Sequence, residues 1–176
     1  MRNSLGSKTG RLDVVDDAID VLLDQWRRSP YDLPLESMAV AKRLSRVARN
    51  LEQHLAKALA PYGLDPGEFD VMATLLRSGP PYELTPNVLN RSLLISSGGL
   101  TKRLTRLETR GLVSRRLDPD DRRSLLAALT EQGRALAGEA VVAHTRASAG
   151  LADSLPAADR ARLTELLRSL LLHQES

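Results

Sequence analysis

Between Thr85 and Leu129 the chain passes from two short helical patterns to an alternating strand pattern, and few folds accommodate that order. Thr85 can cap a helix with Pro86 in its first turn, running to roughly Ser92. Ser96 or Ser97 can cap a second helix, which ends at Gly111. Two short helices joined by three or four residues predict a helix-turn-helix. Leu112 to Leu117 and Ser124 to Leu129 then flank Asp118-Pro119-Asp120-Asp121, a β-hairpin pattern that forms a wing when it directly follows such a pair.

The rest of the chain reads as helix. Leu12, Val15, Ile19, Leu22, Leu23 and Trp26 recur at steps of three and four, predicting an amphipathic helix over 11–28 that stops at Ser29 and Pro30. Met38, Ala41, Leu44, Ala48, Leu51, Leu55 and Ala58 predict a longer one over 36–60, ended by Pro61 and Gly63. Asp65 can cap the next, with Pro66 in its first turn, Glu68 reaching back and Leu64 stapled to Phe69, as far as about Arg77. Thr130 to about Leu151 and Pro156 to 173 are helical again, the last packed through Leu163, Leu166, Leu167, Leu170 and Leu171. With 3% aromatic residues, Leu and Ala must build the core, which favours packed helices over a sheet sandwich. The expected fold is mainly α with a small β-hairpin wing. Residues 1–10 form a disordered tail, 65–130 a winged helix-turn-helix, and 11–60 with 131–176 a helical region. The helices over 36–60, 131–151 and 156–173 carry more apolar surface than one small winged helix can cover, so a second copy of the chain is expected.

Composition removes several function classes. The chain has no cysteine, which excludes disulfides, thiolate catalysis and cysteine-ligated zinc. Its three histidines, His54, His144 and His173, stand far apart without partners at ligand spacing, so no metal site or cofactor is expected. Asp70, Glu68 and His54 are the only acid-base material, without a nucleophile-base pair or phosphate loop, so an enzyme is not expected. No apolar run approaches the ~18 residues of a membrane span and Met1 to Arg11 holds no apolar core, which predicts a cytoplasmic, untargeted protein.

Charge is divided along the chain. The formal net charge is only +3, yet residues 91–123 carry nine basic side chains against four acidic ones, whereas 12–40 carry seven acids against Arg27 and Arg28. A polyanion should meet the first region and avoid the second. On the helix from Ser97 to Arg110, Leu100, Leu104 and Leu107 form one inward stripe. The opposite face presents Ser97, Gly98, Thr101, Lys102, Thr105 and Arg106, small or hydrogen-bonding residues followed by cations, as a major groove requires; taken alone it could equally be a solvated basic face. Gly98 and Gly99 weaken the helix, which makes sense if a backbone must approach closely there. Arg122 and Arg123 follow the acids of the wing tip, so one arginine can be pinned while the other enters a narrow minor groove; an ordinary charged turn is the plainer alternative.

The stretch LTPNVLNRSLLISSGGLTKRLTRLETRGLVSRRLDPDDRRSLLAALTEQGR, residues 84–134, resembles the MarR (multiple-antibiotic-resistance regulator) family of winged-helix transcription factors. The glycine after the second helix, the Asp-Pro-x-Asp-Arg-Arg wing and the Leu-Thr-Glu-Gln-Gly-Arg start of the following helix stand at the family's spacing, and the order of helices fits from about 36 to 173. The resemblance implies a homodimeric DNA-binding regulator, a repressor on a palindromic operator, with two winged helices reading double-stranded DNA. The added helix at 11–28 resembles the urate-responsive branch, in which Trp26, Asp70, Arg103 and Arg115 would line a pocket for a small anionic aromatic effector such as urate. Arg103 lies about 60° from the leucine stripe, at the flank of the inward face, where it needs a counter-charge that Asp70 could supply. Trp26 could instead be plain core, and Asp70 with Arg103 a structural ion pair. A constitutive or architectural DNA-binding dimer without ligand response is the competing reading of the whole chain.

Overall fold

The computed structural model describes residues 16–118 and 125–174, in two compact units, 1–50 and 51–176, whose boundary falls within the second helix. The tail 1–10 and residues 11–15 lie outside the described residues.

In the first unit, α1 spans Ala18–Arg27. Asp17 is extended, and its carboxylate accepts from the backbone N–H of Ile19 at 2.6 Å and of Asp20 at 3.1 Å, while its own N–H donates to Asp20 at 2.9 Å. This capping box satisfies the first orphan donors and fixes the start at Ala18. Ile19 and Leu23 turn inward. Arg43, on α2 (Leu35–Leu59), donates to Asp17 at 2.9 Å and to Asp20 at 2.6 Å and holds both carboxyls below their ordinary range. Val40, Leu44 and Val47 form an exposed apolar face on the same helix.

In the second unit the last turns of α2 pass through a 3₁₀ turn (Ala60–Tyr62) to Gly63, whose φ of +63° suits glycine. Then α3 (Pro66–Arg77) starts at the predicted box: the Glu68 N–H donates to Asp65 at 2.8 Å and the Asp65 N–H to Glu68 at 3.2 Å. The helix-turn-helix follows as α4 (Pro86–Leu93), capped by Thr85, and α5 (Ser97–Thr109), capped by Ser96, whose hydroxyl accepts from the Gly99 N–H at 3.2 Å. Leu94 ends α4 in a left-handed conformation.

Strands β2 (Val113–Leu117) and β3 (Leu125–Leu129) pair antiparallel from Val113 opposite Leu129 to Leu117 opposite Leu125. A further strand, β1 (Glu83–Leu84), adds to β3 and makes a three-stranded sheet in the order β1-β3-β2. The hairpin pattern did not predict it, because two residues carry no alternation to read.

Thr130 caps α6 (Glu131–Ala152) and ties three elements together. Its N–H donates to Leu112 O at 3.1 Å, its hydroxyl donates to Gly111 O at 2.7 Å, and the same hydroxyl accepts from the Gly133 N–H at 2.9 Å. A Cβ on Gly133 would be driven into the Leu112 carbonyl, so only glycine fits. Around this junction Leu59, Phe69, Met72, Leu75, Leu89, Leu100, Leu104, Leu107 and Val113 make one buried core.

The final helix leaves its leucines uncovered within the single chain, in keeping with the expected excess of apolar surface. In α7 (Ala157–Gln174) no residue is buried, and Leu163, Leu166, Leu170 and Leu171 are 43%, 55%, 45% and 59% exposed. The leucine pattern is helical as read, but its packing partner is not within this chain's described residues.

Candidate nucleic-acid interface

On α5 the leucine stripe does what its spacing requires, with Leu100, Leu104 and Leu107 buried in the core. At about 1.5–3 kcal/mol for each buried leucine, this face fixes the rotation of the helix about its axis. The opposite face is thereby exposed, and it holds Ser97, Gly98, Thr101, Lys102, Thr105 and Arg106. The Thr101 hydroxyl donates back to Ser97 O at 2.9 Å, which leaves its methyl and lone pairs outward. A Cβ added at Gly98 meets nothing within 4 Å, so nothing in the fold demands a glycine there. Arg91 on α4 is exposed as well.

Arg106 departs from the groove-facing role read from its position. Its guanidinium pairs with Asp65 and, at 3.0 Å, with the buried Glu68, both at the start of α3. Arg110 donates to the same Glu68 at 3.1 Å. Arg106 of α5 and Arg110 at its C-cap therefore clasp a carboxylate of α3, and Arg106 reaches outward only by exchanging its partners. Arg122 and Arg123 lie outside the described residues.

The four residues read as lining an effector pocket divide between the units. Trp26 lies in the first, 38% exposed, with its ring edge-on to Tyr31 at 6.4 Å between centroids. Asp70, Arg103 and Arg115 lie in the second. Asp70 borders a cavity of about 380 Å³ together with Glu52, Leu55, Leu59, Pro66, Phe69 and His144. Burial pushes its carboxyl up, against the charges of Arg103, His144 and Arg77, even though the residue keeps substantial exposure at the cavity rim. Asp70 and Arg103 form no direct ion pair among the described residues. Arg103 crosses the first turn of α3, so close to Gly67 that a Cβ there would sit 2.5 Å from its guanidinium carbon. Arg115 is turned away to Glu108, to which its Nε donates at 2.9 Å, and this pairing lowers the Glu108 carboxyl. His144, Glu52 and Phe69 were not among the residues read as lining a pocket. His144 stacks on Phe69 with centroids 4.5 Å apart, a pairing across α6 and α3 that no local spacing announces.

A profile described as the MarR family matches residues 62–124. The HTH-type transcriptional regulator PecS of Dickeya dadantii (strain 3937) is 36% identical over 146 residues, spanning 83% of this chain and 88% of that protein. Among solved structures, a mutant MarR from E. coli complexed with operator DNA superposes with a TM-score of 0.70 at 27% identity, covering 80% of this chain and 99% of that one. CouR from Rhodococcus jostii RHA1, bound to p-coumaroyl-CoA, gives 0.64 at 29% identity over 74% of this chain and 90% of that one.

Proposed function

The chain belongs to the MarR family of winged-helix transcription regulators, and from that premise we propose that it acts as a homodimeric repressor of a palindromic operator, released by a small anionic aromatic ligand. The observation that carries the DNA reading is the face of α5: Ser97, Gly98, Thr101, Lys102 and Thr105 stand exposed opposite three buried leucines, on a helix locked into a helix-turn-helix. These side chains read the major groove, and Arg122 or Arg123 reaches the minor groove. Arg106 joins them after leaving Asp65 and Glu68.

Dimerisation rests on the apolar surface each chain leaves uncovered, Val40, Leu44 and Val47 on α2 and the leucines of α7. A two-fold dimer covers such faces and sets two recognition helices about 34 Å apart, one DNA turn. The effector reading draws on the cavity at Asp70 and on the uncommitted charge of Arg103, with Arg115 in reserve once Glu108 releases it. Urate is the anion to test first. A tenfold loss of operator affinity on binding requires about 1.4 kcal/mol of coupling, and the coupling is reciprocal, so operator DNA must weaken ligand binding tenfold too.

The decisive experiment is footprinting of the purified protein on the intergenic DNA upstream of its own gene, with and without urate and a panel of aromatic acids and purines. A symmetric footprint, weakened in the double variant Arg122→Ala, Arg123→Ala and released by one of the anions, supports the reading. Binding to random duplex as tight as to the upstream site supports the architectural alternative. A footprint indifferent to every anion removes the effector role of Asp70 and Arg103.

A further inference from the structure

The first unit holds an open cavity of about 550 Å³ that the proposed regulation does not use, lined by Ile19, Lys42, Ser45, Arg46, Arg49 and Asn50. Lys42, Arg46 and Arg49 stand at i, i+4 and i+7 on α2, so one helix face carries three cations within about 10 Å. Repulsion between like charges at this spacing costs helix stability. Three acids of the first unit are committed elsewhere: Asp17 and Asp20 to Arg43, Asp24 to Arg27. Lys42, Arg46 and Arg49 make no ion pair among the described residues. At 100° per residue the stripe lies nearly opposite Val40, Leu44 and Val47, so a partner that covers that apolar face leaves the cations open.

We propose that this cavity is a binding site for a small molecule bearing a pyrophosphate or longer phosphate chain. A single carboxylate satisfies one of the three cations, whereas a phosphate chain presents several oxygens and charges in one compact run. Arg46 and Arg49 offer planar forks that match phosphate oxygens in pairs, and Lys42 adds a point charge. Ser45 and Asn50 supply neutral donors beside them, and Ile19 gives the cavity an apolar wall that an organic portion can rest on. A concave site of this size suits a small ligand; a DNA backbone would instead track an extended surface. The proposal is independent of the effector assigned to Asp70 and Arg103.

The test titrates inorganic pyrophosphate and tripolyphosphate into the intact protein by calorimetry, with urate and acetate as comparison anions. Saturable binding at one site per chain, tighter than about 1 mM, weakened at least tenfold in the double variant Arg46→Ala, Arg49→Ala and undisturbed in Lys102→Ala, supports the site. Because the altered side chains are exposed, the variant should melt as the parent does, and the single Arg46→Gln variant serves if it does not. Absence of saturable binding, or binding that survives loss of both arginines, overturns the proposal. DNA phosphate as the true occupant is read from the salt dependence of operator binding: a slope lower by about two in the double variant, without pyrophosphate binding in the parent, also overturns it.

Discussion

Replacing Glu68 should lower the stability of the fold and raise its affinity for DNA, two effects that usually run together in the same direction. The carboxylate is buried, with a side chain 7% exposed, and it accepts from Arg106 at 3.0 Å, from Arg110 at 3.1 Å and from the Asp65 N–H at 3.2 Å. Charge-assisted bonds of this kind contribute about 1.5–3 kcal/mol each when both partners are desolvated. Here Arg106 and Arg110 are 47% and 36% exposed and regain water on release, which discounts the two together to about 2 kcal/mol. Loss of the reciprocal cap adds about 0.5–1 kcal/mol. Glu68→Ala should therefore destabilise by about 3 kcal/mol, roughly 6–12 °C in melting temperature for a chain of this size. Glu68→Gln keeps the cap and should lose about half as much. Glu68→Ala frees Arg110 and leaves Arg106 with Asp65 alone, and both variants remove a negative charge beside α5. Operator affinity, measured by fluorescence anisotropy well below the melting transition, should rise severalfold at low salt with a steeper salt dependence. If affinity falls in both variants, the arginines serve to seat α5 and do not compete for DNA. If melting is unchanged, the clasp contributes nothing to stability and does not hold the two arginines back from DNA.

Gly133→Ala should cost about 3 kcal/mol or more in urea denaturation, since its Cβ meets the Leu112 carbonyl, a backbone atom that cannot step aside. Leu166→Glu with Leu170→Glu should yield a monomer by analytical ultracentrifugation with operator binding reduced at least a hundredfold, and a dimer that persists would move the interface away from α7. Asp70→Asn tests the raised carboxyl. The folded state binds this proton more tightly than the unfolded one, so stability falls as pH climbs from the ordinary carboxylate range through the raised value. The variant should melt above the parent at pH 7 and alongside it once pH drops below the ordinary carboxylate range.

Local devices were the most legible part of the chain. The box at Asp65 and Glu68, the cap at Thr85 and the inward stripe of Leu100, Leu104 and Leu107 involve residues within a few positions of one another, and each stands as its spacing implies. What the spacing could not carry is pairing at a distance. Arg106 finds Asp65 forty-one positions away, and Arg116 meets Glu83 at 2.7 Å from a strand that sequence pattern does not announce. The first helix shows a different limit: its apolar rhythm runs unbroken from Leu12 to Trp26, and periodicity does not register the capping box of Asp17 with Asp20 inside that run. In α7 the periodicity is plain, but periodicity reports that a face is apolar and not what covers it.

The junction at Thr130 turns α6 into a lever. Gly111 follows α5, Leu112 leads into β2 and Thr130 caps α6, and all three are bolted within one set of hydrogen bonds over a glycine that admits no slack. A helix of 22 residues is about 33 Å long, so a tilt of about 5° about that bolt displaces its far end by roughly 3 Å. Run in reverse, a modest push on the distant end of α6 reaches α5 as a small, geared-down rotation, because there is no flexible loop at the fulcrum to absorb it. The orientation of α5 is accordingly sensitive to how the far end of α6 is held.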